Sequence, residues 1–219
     1  YPLRRQRQMC IRDRFIREGK RKRKVYTSSD LDRLSFGIKE SKHLPAILRP
    51  LWFTRALIMT FRYTAIRRSQ LNKLRIKDVD LINQVIHISP EINKNHEYHI
   101  LPISSILYPY LDKLLNELKK IKQPVEAQLF NINLFSKAVK RRGKEMTADQ
   151  VSYLFKVISK YTGIISSPHR FRHTAATNLM KKPENLYVAK QLLGHKDIKV
   201  TLTYIEDDVE VVRKYTNLL

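Results

Sequence analysis

Ser167-Pro168-His169-Arg170-Phe171-Arg172-His173-Thr174-Ala175-Ala176-Thr177 is the stretch from which the rest of the chain can be read. Pro168 precedes a predicted helix from His169 to Met180, and Lys181-Lys182-Pro183 stops it. On that helix His169 and Arg172 are three residues apart and share a face. Downstream, Leu186 to Leu193 reads as a helix ended by Gly194, which places His195 immediately past a helix end. Tyr204 follows nine residues later, closing Val-Thr-Leu-Thr-Tyr. Upstream, Arg67 lies in Thr64-Ala65-Ile66-Arg67-Arg68-Ser69-Gln70-Leu71. Two arginines, two histidines and a tyrosine suit neither a metal site nor a hydrolytic triad. They would make a good cradle for a phosphodiester attacked by a phenol.

Composition points the same way. The chain has 43 Lys+Arg against 20 Asp+Glu, a net charge of +23, and such an excess draws in polyanions. Nucleic acid is the expected partner; a membrane is not, because no run reaches the ~18 apolar residues of a spanning helix. The N-terminus also lacks the apolar core of a signal peptide. With 42% hydrophobic residues and five glycines, the chain can fill a core and reads as mainly α. Cys10 is the only cysteine, so no disulfide can form within the chain.

The remaining elements follow from local patterns. Thr27-Ser28-Ser29-Asp30 offers helix caps before Leu31 and Leu34. An apolar helix is expected from Ala46 to Tyr63, and a short one from Ser69 to Leu74. Val79 to Ile88 favours strand with a turn at Asn83-Gln84, and Tyr98 to Ile103 is the returning strand of a hairpin whose polar tip spans Glu91 to Glu97. Ser104 or Ser105 is expected to cap a helix to Ile121, and Thr147 with Gln150 forms a capping box for one to Tyr161. Ile198 to Ile205 and Asp207 to Leu218 read as two last helices. The expected class is α+β: mainly α with a small antiparallel β-sheet.

Taken together, the motifs resemble the tyrosine recombinases, the phage-integrase family. The family's His-x-x-Arg-His-Thr-x-Ala-Thr box matches His169 to Thr177, and its Leu-Gly-His box matches Leu193 to His195. Its first box, Thr-Gly-x-Arg-x-x-Glu-Leu, is looser here: Ala65 stands for glycine and Gln70 for glutamate, and the register selects Arg67 over Arg68. The hairpin lysine matches Lys94, with Leu101-Pro102-Ile103 at the strand end.

The resemblance implies a catalytic set of Arg67, Lys94, His169, Arg172, His195 and Tyr204, with Tyr204 as nucleophile. Attack on a phosphodiester builds negative charge on the non-bridging oxygens, and fixed donors aimed at that charge are the main catalytic lever. Arg67 and Arg172 would each grip an oxygen with two parallel hydrogen bonds, and His195 would add another. A phenol with pKa about 10 needs nearby positive charge and a proton acceptor, the role expected of His169. Lys94 would protonate the departing 5′ oxygen. The implied 3′-phosphotyrosyl bond keeps the energy of the broken linkage, so rejoining needs neither ATP nor metal, and no cofactor is expected.

Other readings have their own signatures. His169 and His173 at a four-residue spacing resemble a zinc pair, but no glutamate follows the first histidine and Arg172 would set a cation beside the metal. His173 reads instead as structural, and His96 and His99 as solvated residues flanking the hairpin. Tyr215 is the nearest rival nucleophile but lacks the spacing. A type IB-like topoisomerase shares the tyrosine chemistry, and a non-catalytic DNA-binding protein needs only the basic surface.

The resemblance also carries expectations about organisation. Leu3 to Arg14 resembles translated sequencing-adaptor DNA, so residues 1–14 are expected to be a non-native artefact. Removing them takes away five arginines and one aspartate, and +23 becomes +19. Residues 15–26 read as a basic linker and 27–219 as the catalytic domain, with the family's N-terminal core-binding domain missing. Expected partners are double-stranded DNA, three further copies in a homotetramer when full-length, and accessory DNA-bending proteins, with no membrane. The expected setting is the bacterial cytoplasm, on the nucleoid.

Overall fold

A computed structural model describes residues 25–39, 42–135 and 144–204. The expectations for residues 1–24 and for the helix at 207–218 lie outside these. Eight helices and three short strands are present among the described residues: α1 (Ser28–Phe36), α2 (Leu51–Thr64), α3 (Arg68–Lys73), β1 (Val79–Asp80), β2 (Val85–Ile88), β3 (His99–Pro102), α4 (Tyr108–Lys120), α5 (Ala148–Thr162), α6 (Pro168–Met180), α7 (Leu186–Leu193) and α8 (Ile198–Leu202). The strands form one antiparallel sheet in sequence order, with Val79 opposite Ile86 and Ile86 opposite Leu101. Mainly helical with a small antiparallel sheet, the fold is of the expected class.

Several boundaries follow the local signals. Thr27 caps α1 by accepting from the Asp30 amide, and Asp30 reaches back to the Thr27 amide. Thr147 and Gln150 form the same reciprocal pair at the start of α5. Two starts differ from expectation. The helix expected from Ala46 breaks into a 3₁₀ turn over Ala46–Leu48 and then α2 from Leu51. Pro50 is the cause: it has no amide to donate, and it holds Arg49 in an extended conformation. Similarly, Ser104 caps only a turn, accepting from the Leu107 amide, and α4 begins at Tyr108 with Pro109 in its first turn.

α2 is the buried axis. Phe53, Ala56, Leu57, Ile58, Met59 and Phe61 along it are fully enclosed, and α1, α4 and α6 pack around it. Aromatic rings link the layers: Phe61 meets Phe155 of α5 at 5.4 Å, Phe155 meets Phe171 of α6 at 5.9 Å, and Phe171 meets Tyr26 at 4.8 Å. Burying such rings, at ~25 cal/mol per Å² of apolar surface, fixes α6 against α2 and α5. The segment before α1 is stitched to α6 as well. The Tyr26 amide donates to Thr174 Oγ1 at 2.9 Å, its phenol accepts from the Ser167 amide at 3.0 Å, and Arg170 donates to the Val25 carbonyl at 3.1 Å.

Candidate active site

Arg172 is the hub. It rises from the middle of α6 and is only 7% exposed. Its Nη1 donates to the Ala65 carbonyl at 2.9 Å, and its Nη2 faces both the Leu193 carbonyl at 2.5 Å and His195 Nε2 at 3.1 Å. One guanidinium therefore ties the end of α2 to the end of α7. Burial, and then the neighbouring Arg67, push its pKa down to about 10, which leaves it charged at neutral pH.

The Ala65 carbonyl is available because Ala65 ends α2 in the left-handed conformation, φ 51° and ψ 23°. A Cβ there costs about 1 kcal/mol, which gives a physical reason for glycine in the family pattern. Arg67 then starts α3. Gln70 is buried and accepts from the Arg67 amide at 3.0 Å, while its own amide nitrogen donates to Asn93 Oδ1 at 3.2 Å. The glutamine thus braces the arginine's backbone without a carboxylate. Arg67 Nη2 donates to the Gly194 carbonyl at 3.3 Å, but its Nη1 is buried with no hydrogen-bond partner among the described residues. A buried cationic donor left open is costly unless an acceptor arrives. Arg68 is bonded to Ser152 Oγ.

Gly194 ends α7 in the left-handed region (φ +57°), as a helix-ending glycine should. His195 follows, its Nδ1 3.0 Å from Thr201 Oγ1. Desolvation, then Arg172 and Arg67, push its pKa down to about 4, so the ring is neutral. With Nε2 accepting from Arg172, Nδ1 carries the proton and donates to Thr201.

Arg67, Lys94, His169, Arg172 and His195 line one cleft of about 750 Å³. Arg68 and Lys196 add positive charge, and Asp197 is the single carboxylate among the lining residues. Tyr204 stands apart from the lining. Only 7% exposed, it packs among Ala65, Ala176, Met180, Ala189 and Leu193. Its ring lies 6.1 Å from that of His195, nearly parallel, and 5.3 Å from that of His173. His173 in turn contacts His169, their ring nitrogens adjacent. The two histidines thus form a short path from the phenol to the cleft. The small side chains of that cluster are what let the phenol sit so close under the cleft.

His99 corrects the solvated reading. It is partly buried, with its Nε2 2.6 Å from the Gln191 carbonyl. Sequence reasoning also missed Asn95, which lines the cleft and donates to the Gly194 carbonyl at 3.2 Å, and Thr201, which holds His195. The bonds of His99 and Asn95 to backbone carbonyls about a hundred residues away leave no side-chain pattern to find.

The phage integrase family profile matches residues 46–210. The chain belongs to that family. It is 41% identical over 169 residues to a Pseudomonas aeruginosa protein that bears the name tyrosine recombinase XerC, covering 77% of this chain and 39% of that protein. A Pseudomonas syringae protein of the same name is 40% identical over 171 residues, covering 78% and 36%. The chain therefore spans less than half the length of these relatives. In three dimensions it is similar to the Tn1549 transposon integrase in complex with a circular intermediate DNA, with TM-score 0.67 and 21% identity over 90% of this chain and 66% of that one. XerA recombinase gives 0.64 and 19%, over 89% and 62%. At such identities the likeness is one of fold.

Proposed function

We propose that this chain is the catalytic part of a site-specific DNA recombinase of a phage or other mobile element, cutting and rejoining double-stranded DNA through a 3′-phosphotyrosyl intermediate. The observation that carries the reading is the cationic cleft, where an open Arg67 donor, Arg172, Lys94, His169 and a neutral His195 face one space. A scissile phosphate there would take Arg67 Nη1 on one non-bridging oxygen. Arg172 has five N–H groups, three of them engaged, which leaves one on Nε and one on Nη1 for the phosphate. With a phosphate bound, the other tautomer of His195 would donate from Nε2 while Nδ1 accepts from the Thr201 hydroxyl.

Tyr204 supplies the nucleophilic oxygen. Its proton passes toward His169, the Tyr204–phosphorus bond forms, the bond to the 5′ oxygen breaks, and Lys94 gives that oxygen a proton. Attack needs the segment after α8 to bring Tyr204 from its buried seat to the cleft. In the longer protein the working assembly is a tetramer on DNA, in the bacterial cytoplasm.

The test is Tyr204→Phe on nicked suicide duplexes, read as protein–DNA adduct on a denaturing gel. Adduct in the parent and none in the variant, with DNA binding equal, is expected. Adduct persisting in the variant refutes the assignment. Relaxation of supercoiled plasmid at no particular site would instead favour topoisomerase activity.

A further inference from the structure

The turn that presents Lys94 is held from two sides. Asn93 anchors one side, donating to the Glu97 carbonyl at 2.8 Å and accepting from Gln70. The other side is tied to the loop around His195 by three contacts: Asn95 to the Gly194 carbonyl, Lys196 to Glu97 at 3.2 Å, and His99 to the Gln191 carbonyl. The ion pair is exposed and contributes little. His99 is different. A carbonyl only accepts, so its Nε2 carries the proton, and at 2.6 Å this is the shortest of the three. The fit is close: a Cβ on Gly194 would lie 2.9 Å from His99 Nδ1. Burial and the two arginines push the pKa of His99 down, which keeps the ring in the neutral form.

We propose that His99 is a positioning residue: its bond to the end of α7 clamps the start of β3, and with it Lys94, to the loop that carries His195. The clamp sets where the ammonium of Lys94 stands relative to the phosphate held by Arg172 and His195. The catalytic consequence rests on the recombinase reading; the clamp itself does not.

Two measurements separate them. Hydrogen exchange across residues 90–98 is compared in the parent, His99→Leu and His99→Gln, since glutamine carries an amide donor near the position of Nε2. Loss of one latch bond predicts exchange about tenfold faster in His99→Leu and near-parent exchange in His99→Gln. Adduct formation is then timed on a pool of nicked duplexes randomised around the break, with either an oxygen or a bridging sulfur at the 5′ leaving position. A thiolate departs without a proton, so it has no need of Lys94. His99→Leu should slow the oxygen substrate about tenfold and leave the sulfur substrate near the parent rate, and His99→Gln should recover both. Unchanged exchange in His99→Leu overturns the clamp, and equal slowing on oxygen and sulfur overturns the link to Lys94. If the parent forms no adduct on either pool, the recombinase reading and with it the link to Lys94 fail, and exchange alone decides the clamp.

Discussion

Replacing Arg172 with lysine should damage the fold and the chemistry together, while the same change at Arg67 should damage the same chemistry with little effect on the fold. Arg172 satisfies the Ala65 and Leu193 carbonyls and faces His195 at the same time. A single ammonium cannot span two carbonyls from different helices. A buried carbonyl left without a donor costs roughly 1–3 kcal/mol, so Arg172→Lys, which strands at least one, is expected to lose about 1–3 kcal/mol or more. Arg67 makes a single, longer bond to Gly194, and Arg67→Lys should lose less than about 1 kcal/mol. Both variants should form adduct ~10²–10³-fold more slowly, because each removes a fixed donor to the phosphate. Urea unfolding followed by circular dichroism gives the first quantity, and adduct timing the second. Equal urea midpoints for the two variants, or a larger loss for Arg67→Lys, would refute the assignment of Arg172 as a joint between α2 and α7.

Three further outcomes are expected. The pKa of His195 is held below its unfolded value of 6.5, down to about 4, so its contribution to stability is complete above pH 6.5 and declines as pH falls toward 4. Thermal melts of the parent should therefore weaken between pH 6.5 and 5 more than those of His195→Gln; equal slopes would contradict this. Gly194→Ala should lose about 2 kcal/mol, roughly half from the left-handed backbone and half from the displaced His99 bond. Combined with His99→Ala, the second half should disappear, so the two losses fall short of additive in urea titrations. Gln70→Glu should destabilise by ~1–3 kcal/mol even though it restores the family pattern, because a buried carboxylate cannot donate to Asn93. Turning Asn93 round to donate instead would strip the Glu97 carbonyl of its donor. A urea midpoint at or above the parent's would count against that account.

Much of this architecture was legible in short-range chemistry. The α5 capping box, the arrest of α7 at Gly194 and the Asn83-Gln84 turn each depend on residues within four positions of one another. Arg67 and Arg68 both line the cleft, but Arg67 carries a donor with no partner among the described residues, whereas Arg68 is bonded to Ser152. The starts of α2 and α4 lie later than apolar periodicity and the Ser104 cap signal indicate, because Pro50 and Pro109 suit only the entry to a helix. What the motifs left hidden was the bracing. Asn95 and His99 work through partners fixed only once the hairpin and α7 meet, and Thr201 through a side-chain bond across the turn between α7 and α8. The depth of Tyr204 was equally invisible, since it follows from five small or apolar neighbours drawn from α2, α6 and α7.

The stitching of Val25 and Tyr26 to α6 makes that short run a mechanical lead into the cleft. Its bonds land on Ser167, Arg170 and Thr174, which bracket His169 and Arg172 on the same helix. A pull applied to the backbone at Val25 is therefore borne first by the helix that holds the phosphate-facing groups, ahead of α2 or the sheet. Strain arriving along the polypeptide from that direction would be converted into tilt of the very residues proposed to hold the phosphate.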